Sequence, residues 1–406
     1  MHARRLAALL FAVVALVSAA WLSRPYVHGL SFVIRAAETE GTLRRLADLD
    51  TTATDEREIE IPAVRGPMRA RLYEPSRPRR RAALLVSGLH AAGIDEPRLV
   101  AMARHLSGSG LTIVTPDIPE LSRFEITPAI TDAIEQAALW LSSDGALAPD
   151  HKVGLMGINF SGGLSAVAAG RPSIAGRVAF VFSFDGHADL PRVLRYLCTG
   201  VEPRPGNQVR LKADTTEEGV GGGRLPPDQP FVRPPHHDGV AVILLGAAHR
   251  LAPPAQVEPL RAAVRRFLRA SQLEGVDKVQ AELDFESLRE VAKRMPQPSA
   301  TLLRYVNERD VVHLGAKLLP YVGSYGGDPA LSPSRSPVPS APVFLLHAVN
   351  DNLIPSVESE YLADQLRGHA PVRVLLSGLS RPEGDRTMSA GEVMKQAGFW
   401  GDLLSR

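Results

Sequence analysis

The stretch Val153-Gly154-Leu155-Met156-Gly157-Ile158-Asn159-Phe160-Ser161-Gly162-Gly163-Leu164 sends an apolar run into a cluster of small residues and then into the alanine-rich segment Ser161–Ala169. That order predicts a strand, a sharp turn and a helix. A turn this abrupt needs small neighbours, because its central residue is held in a strained backbone conformation with the side chain thrust outward. The helix N-terminus behind the turn favours negative charge, so this is also a place where chemistry can be staged.

Working outward, Ala82–Ser87, Leu111–Thr115 and Val178–Phe184 are short apolar runs, as expected of strands covered on both faces. Helical patterns at Pro97–Ser107 and Pro128–Ser142 separate them. Upstream, Glu58–Val64 and Met68–Tyr73 alternate around Arg65-Gly66 like an antiparallel hairpin. Two further strands, Val343–His347 and Val372–Ser377, come late, with helices at Val357–Leu366 and Ala390–Leu404. Strands alternating with helices imply an α/β chain with a mostly parallel sheet flanked by helices. Between Gly186 and Ala341 the rhythm stops. Residues 203–235 are dense in Pro and Gly and read as a flexible loop; helical segments follow near 238–250, 255–273, 277–294 and 299–319, and a Pro/Ser-rich linker, Asp328–Pro342, leads back to a strand. The predicted organisation is a core in two parts, residues 56–186 and 341–406, interrupted by a helical cap over 187–340. An amphipathic connector over 26–55 (Leu30, Val33 and Ile34, then Leu43, Leu46 and Leu49) precedes it.

At the start of the chain Arg4 and Arg5 precede an apolar run, Leu6–Leu22, closed by Arg24-Pro25. Residues 1–25 therefore read as a secretory signal peptide, with Ser18 and Ala20 at cleavage-like spacing, or as an uncleaved membrane anchor. The arginines on the short side keep the N-terminus cytoplasmic and export the rest. The expected location is the cell membrane with an exported C-terminal domain, or the periplasm or exterior if the segment is cut. The 406 residues, 45% hydrophobic, suffice for one large domain with an insertion. Lys+Arg 46 against Asp+Glu 44 leaves a net charge of +2, which gives no electrostatic case for nucleic acid. Cys198 is the single cysteine, which excludes an intrachain disulfide framework and a cysteine-based metal site.

The order of elements and the strand–turn–helix at Gly157 make residues 56–186 and 341–406 resemble the α/β-hydrolase superfamily, in its dienelactone-hydrolase-like and carboxylesterase-like branches. The resemblance implies an eight-stranded sheet and a serine–histidine–acid triad. Aligning Gly157 with the first glycine of G-x-S-x-G puts Asn159 at the nucleophile position. A carboxamide cannot be deprotonated to attack an ester, which closes the ordinary acyl-enzyme route. The segment His347-Ala348-Val349-Asn350-Asp351-Asn352-Leu353-Ile354-Pro355 matches the family's acid-bearing loop and assigns Asp351 to the triad carboxylate. Gly88-Leu89 sits where the family donates one oxyanion N–H, so the amides of Leu89 and Phe160 form the implied oxyanion pair. The family's base is a histidine after the last strand, but no histidine follows His369, and Arg381 occupies that position. Arginine stays protonated and accepts no proton; it would pair statically with Asp351.

Sliding the register by two makes Ser161 an alternative nucleophile and leaves His90 or His187 as alternative bases. His347 reads as a packed, hydrogen-bonded residue. His236-His237-Asp238 hints at a metal, but no second ligand pair stands at helical spacing. Walker, zinc-protease and dinucleotide motifs are missing, so no metal and no cofactor is expected. Three readings stay open: an exported, membrane-tethered hydrolase-fold protein that has lost the serine mechanism and binds a small acyl or ester-like ligand, or a protein, under its cap; a working carboxylesterase using Ser161, Asp351 and a relocated histidine; and a non-catalytic scaffold for an unknown protein partner.

Overall fold

The computed structural model describes residues 23–77, 81–203, 232–378 and 389–406. The initial apolar run Leu6–Leu22, most of the Pro/Gly-rich stretch and Arg381 lie outside them. Eight strands form one sheet: β1 (Thr54–Ile61), β2 (Met68–Pro75), β3 (Ala82–Val86), β4 (Thr112–Pro116), β5 (Val153–Ile158), β6 (Val178–Phe184), β7 (Val343–Ala348) and β8 (Val372–Ser377). Their order is β1-β2-β4-β3-β5-β6-β7-β8. Strand β2 runs antiparallel to both of its neighbours, and β3 to β8 are parallel. The central strands are apolar because both faces are covered. Along β3, Ala82, Leu84 and Val86 enter one core while Ala83 and Leu85 enter the other, which is the period-two alternation of a strand.

Helices fill both faces: α1 (residues 23–36), α2 (Thr42–Asp48), α3 (Pro97–Gly108), α4 (Pro119–Ser122), α5 (Pro128–Ser143), α6 (Phe160–Ala169), α7 (Leu190–Thr199), α8 (His237–Leu251), α9 (Pro254–Leu273), α10 (Lys278–Arg294), α11 (Ser299–Asn307), α12 (Val311–Leu318), α13 (Val322–Gly326), α14 (Val357–Leu366) and α15 (Ala390–Leu404). Helices α7 to α13 occupy the interval between β6 and β7, and among the described residues that interval adds no strand to the sheet. The core cluster shared by β3, β5 and α6 continues into α7, α8 and α9, so the cap is built onto the sheet's apolar face.

The expected connector is part of the core instead. Phe32 of α1 is fully buried against Trp400 of α15, ring centroids 4.3 Å apart. Ser31 Oγ donates to the Ala47 carbonyl of α2 at 2.7 Å, and the Arg35 guanidinium is buried on Ser109 Oγ at 2.8 Å. The first strand starts at Thr54, two residues before the expected edge of the core. No helix among the described residues is long and apolar enough to cross a membrane.

Candidate active site

The turn after β5 is one residue wide. Asn159 stands between β5 and α6 with φ 53° and ψ −125°, a strained combination outside the left-handed helical region that residues with a Cβ rarely adopt. Its N–H donates to the Phe184 carbonyl at 2.7 Å, and its own carbonyl accepts from Gly162 N at 2.8 Å. The backbone closes so tightly that a Cβ at position 157 would fall inside the Ser161 carbonyl, which is why glycine stands there. No side chain caps α6. The Phe160 amide opens its first turn, and the Asn159 carboxamide Nδ2 lies against Gly88. The loop carrying Leu89 is held from the cap: Gln272 at the end of α9 donates from Nε2 to the Leu89 carbonyl at 3.0 Å and accepts from Ala91 N at 3.1 Å.

The loop that carries Asp351 follows β7. Asp351 Oδ1 accepts from the amides of Leu353 at 2.7 Å and Ile354 at 3.2 Å. Its Oδ2 is 3.7 Å from His347 Nε2. His347 is fully buried, and both of its nitrogens are engaged, Nε2 with the Ile354 carbonyl at 2.8 Å and Nδ1 with Ser359 Oγ at 2.7 Å. Burial lowers its pKa and keeps the ring neutral. The cap grips the backbone of this loop. Arg233 Nη1 donates to the carbonyls of Val349 and Asp351, each at 3.3 Å, and His236 N donates to that of Asn352 at 2.8 Å.

Sequence reasoning passed over Asp185. It follows the last residue of β6 at φ 52° and accepts the Ala348 amide on Oδ1 at 2.7 Å. One oxygen each of Asp185 and Asp351 and a nitrogen of His347 lie within 4.8 Å of one another. Desolvation first, and the negative charge of Asp351 second, push the Asp185 carboxyl up to about 8. The folded protein thus holds a proton that the unfolded chain releases near the ordinary aspartate value. This contribution to stability is complete below that value and is lost as pH rises toward about 8. Asp185→Asn retains an acceptor for Ala348 N and tolerates the positive φ. It is expected to flatten the decline in stability between pH 4 and pH 8, read as urea midpoints across that range.

The remaining candidates fall in different places. Ser161, the alternative nucleophile, is fully buried one residue into α6, and its hydroxyl donates to the Ser87 carbonyl at 2.6 Å. It stands behind the turn, so the slid register is not the one the backbone adopts. His187, the first alternative base, is fully buried behind α6, with Nε2 on the Leu331 carbonyl at 2.8 Å and Nδ1 against Gly163. Its ring packs on Phe160 and never reaches the turn's open side. His90, the second, is half-buried in the Leu89 loop, where Nδ1 accepts from Ala92 N at 3.2 Å. Arg381, assigned to the base position, lies outside the described residues. Among the described residues no histidine hydrogen-bonds Asn159 or Asp351. His236, His237 and Asp238 do converge. Their two imidazoles, however, stack at 4.5 Å with planes 22° apart, so their lone pairs do not aim at one point. Asp238 Oδ2 accepts from Ser271 Oγ at 3.1 Å, and burial, then the neighbouring His236 and Arg309, push His237 down to about 3.

The strand order, the antiparallel second strand, the helices on both faces and the strained turn after β5 together define an α/β-hydrolase fold. No protein-family model and no curated protein sequence matches the chain. Among solved structures it is similar to an esterase from Pyrobaculum calidifontis, at 17% identity and TM-score 0.43, covering 92% of this chain and 93% of that one. A thermostable carboxylesterase cloned from a metagenomic library gives 15% identity and TM-score 0.43 over 93% and 95% of the two chains. A thermostable esterase from Pseudomonas putida gives 13% and 0.44 over 92% and 86%. Likenesses this remote carry neither a substrate nor a site residue to this chain.

Proposed function

We propose that this protein is an exported, membrane-tethered α/β-hydrolase-fold protein of ester-hydrolase ancestry that has lost the serine mechanism and binds a small acyl or ester-like ligand beneath its cap. The observation that carries the reading is Asn159 at the strained turn. A carboxamide there supplies no nucleophile, but it offers a donor and an acceptor at the start of α6, facing Gly88. These groups suit a carbonyl or carboxylate oxygen. The nearest serine has its hydroxyl committed to Ser87, and the sequence beyond His369 holds no imidazole to serve Asp351. The tether rests on Arg4, Arg5 and the apolar run Leu6–Leu22.

The test is a fluorophosphonate probe and short p-nitrophenyl esters on the purified full chain, with a thermal-shift screen of short carboxylates and esters. No label, no turnover above background and a rise in Tm with an acyl compound are the expected results. At a hundredfold excess over Kd the stabilisation should approach about 2.7 kcal/mol, and Asn159→Leu should abolish it. Labelling at Ser161 would instead establish the working esterase. A flat thermal-shift screen would favour the scaffold.

A further inference from the structure

We infer that the leucine face of α2, together with Val27 of α1, rests on the outer surface of the lipid bilayer, an inference that builds on the tethered reading above. Helix α2 is amphipathic in the reverse of the usual sense. Ala47 alone among its residues is buried, whereas Leu43, Leu46 and, at its C-terminal edge, Leu49 are 56%, 59% and 82% exposed. Their spacing of three places them on one face of the helix, and on a surface helix such a face ordinarily meets a core. Val27, 55% exposed, stands at the same end of the helix pair. It adjoins His28, whose ring meets Asp50 just past Leu49, while Ser31 bonds Ala47. The two helices therefore run antiparallel, with the Leu49 end of the stripe toward the start of α1.

The occupant follows from where the chain enters. The described residues begin at 23, with α1, and in sequence they directly follow the apolar run that closes at Leu22. About five residues at 1.5 Å rise, roughly 8 Å, separate that point from the level of Asp50. Nor does α1 hang on a loose linker. A Cβ at Gly29 would strike the Ala397 carbonyl and Gly401 N, and one at Gly401 would strike the Pro25 carbonyl, so α1 and α15 touch backbone to backbone. An anchor ending at Leu22 thus leaves the Leu49 end of the stripe within reach of the depth where interfacial helices seat their apolar faces, about 5–10 Å into the headgroup boundary. The surrounding charges are mixed. Arg24, Arg44 and Arg45 stand among Glu38, Glu40, Asp48 and Asp50, and Arg44 is paired with Asp48 at 2.9 Å. Contact is therefore apolar and requires no anionic lipid.

The chain's own chemistry supplies the test. Cys198 is the only cysteine and is buried, with its thiol pushed up to about 12 by desolvation. A single fluorophore can therefore be placed through Leu46→Cys in the full chain. Val279→Cys on α10, at a position 74% exposed, is the control. In phosphatidylcholine vesicles carrying doxyl-labelled lipid, the probe at 46 should be quenched at least about threefold more than the probe at 279, and adding phosphatidylglycerol should change little. Equal quenching in protein that floats with the vesicles would overturn the docking face and leave the tether standing. Failure to float would overturn both. Disulfide crosslinking between copies through Leu46→Cys, without quenching, would assign the face to a second copy and overturn the inference.

Discussion

Replacing Arg192 by methionine is expected to lower stability by about 3–5 kcal/mol, because it strands a buried carboxylate. Glu358, in the first turn of α14, has no exposed surface. It receives Arg192 Nε at 2.6 Å and Nη2 at 2.8 Å, a bidentate pair, together with the amides of Ala188 at 2.9 Å and Asp189 at 3.1 Å. The guanidinium also lies over the Tyr361 ring, 3.9 Å from its centroid. Arg192 belongs to α7, the first cap helix, and Glu358 to the core, so this pair fastens the cap where it leaves the sheet. Urea denaturation measures the loss. The companion Arg192→Met/Glu358→Leu should recover most of it, since removing both partners of a buried pair leaves no uncompensated charge. Arg57 and Glu74, 3.5 Å apart and both exposed, provide the contrast. Arg57→Ala should cost about 0–1 kcal/mol.

What the sequence discloses follows the range over which each feature is determined. Val153–Ile158 and Val178–Phe184 have the same bounds as strands in the structure, because a doubly covered strand writes its burial into every residue. Asn159 was legible for a similar reason: two residues from Gly157 on a turn of fixed geometry is a local relation. Asp185 was not legible, since nothing in Phe184-Asp185-Gly186 announces that pairing of β6 with β7 will set its carboxylate on the Ala348 amide. His187 misled in the opposite sense. It stands just beyond a strand's C-terminal end, where site residues gather, but the chain turns back under α6 and seals the ring away. For α1 the amphipathic pattern was visible, whereas its partners, Ala397, Trp400 and Gly401, lie more than 350 positions away. Long-range contacts of that kind leave no mark on spacing.

Asn159→Ser combined with Arg381→His is expected to raise the second-order rate on p-nitrophenyl acetate by at least about a hundredfold, the lower range for a positioned general base. Either change alone should stay near background, because triad members act as a unit. At position 159 the backbone needs no rearrangement for this. Position 159 already holds φ 53° and ψ −125°, so a serine hydroxyl would project where the carboxamide now stands, facing Gly88. At Asp351, Oδ1 is occupied by the Leu353 and Ile354 amides, which leaves Oδ2 to accept a hydrogen bond from the N–H of the new imidazole and hold its tautomer. The double variant should gain activity as pH rises through the ordinary imidazole value near about 6.5. Adding Asp351→Asn should remove most of the gain, since the carboxylate sets the imidazole tautomer. Ser161→Ala is the decisive control: its hydroxyl already points back to the Ser87 carbonyl, so the triple variant Asn159→Ser/Arg381→His/Ser161→Ala should work as well as the double. If activity instead vanished with Ser161, the attacking oxygen would be the one behind the turn, and the assignment of position 159 as the nucleophile's place would fall with it.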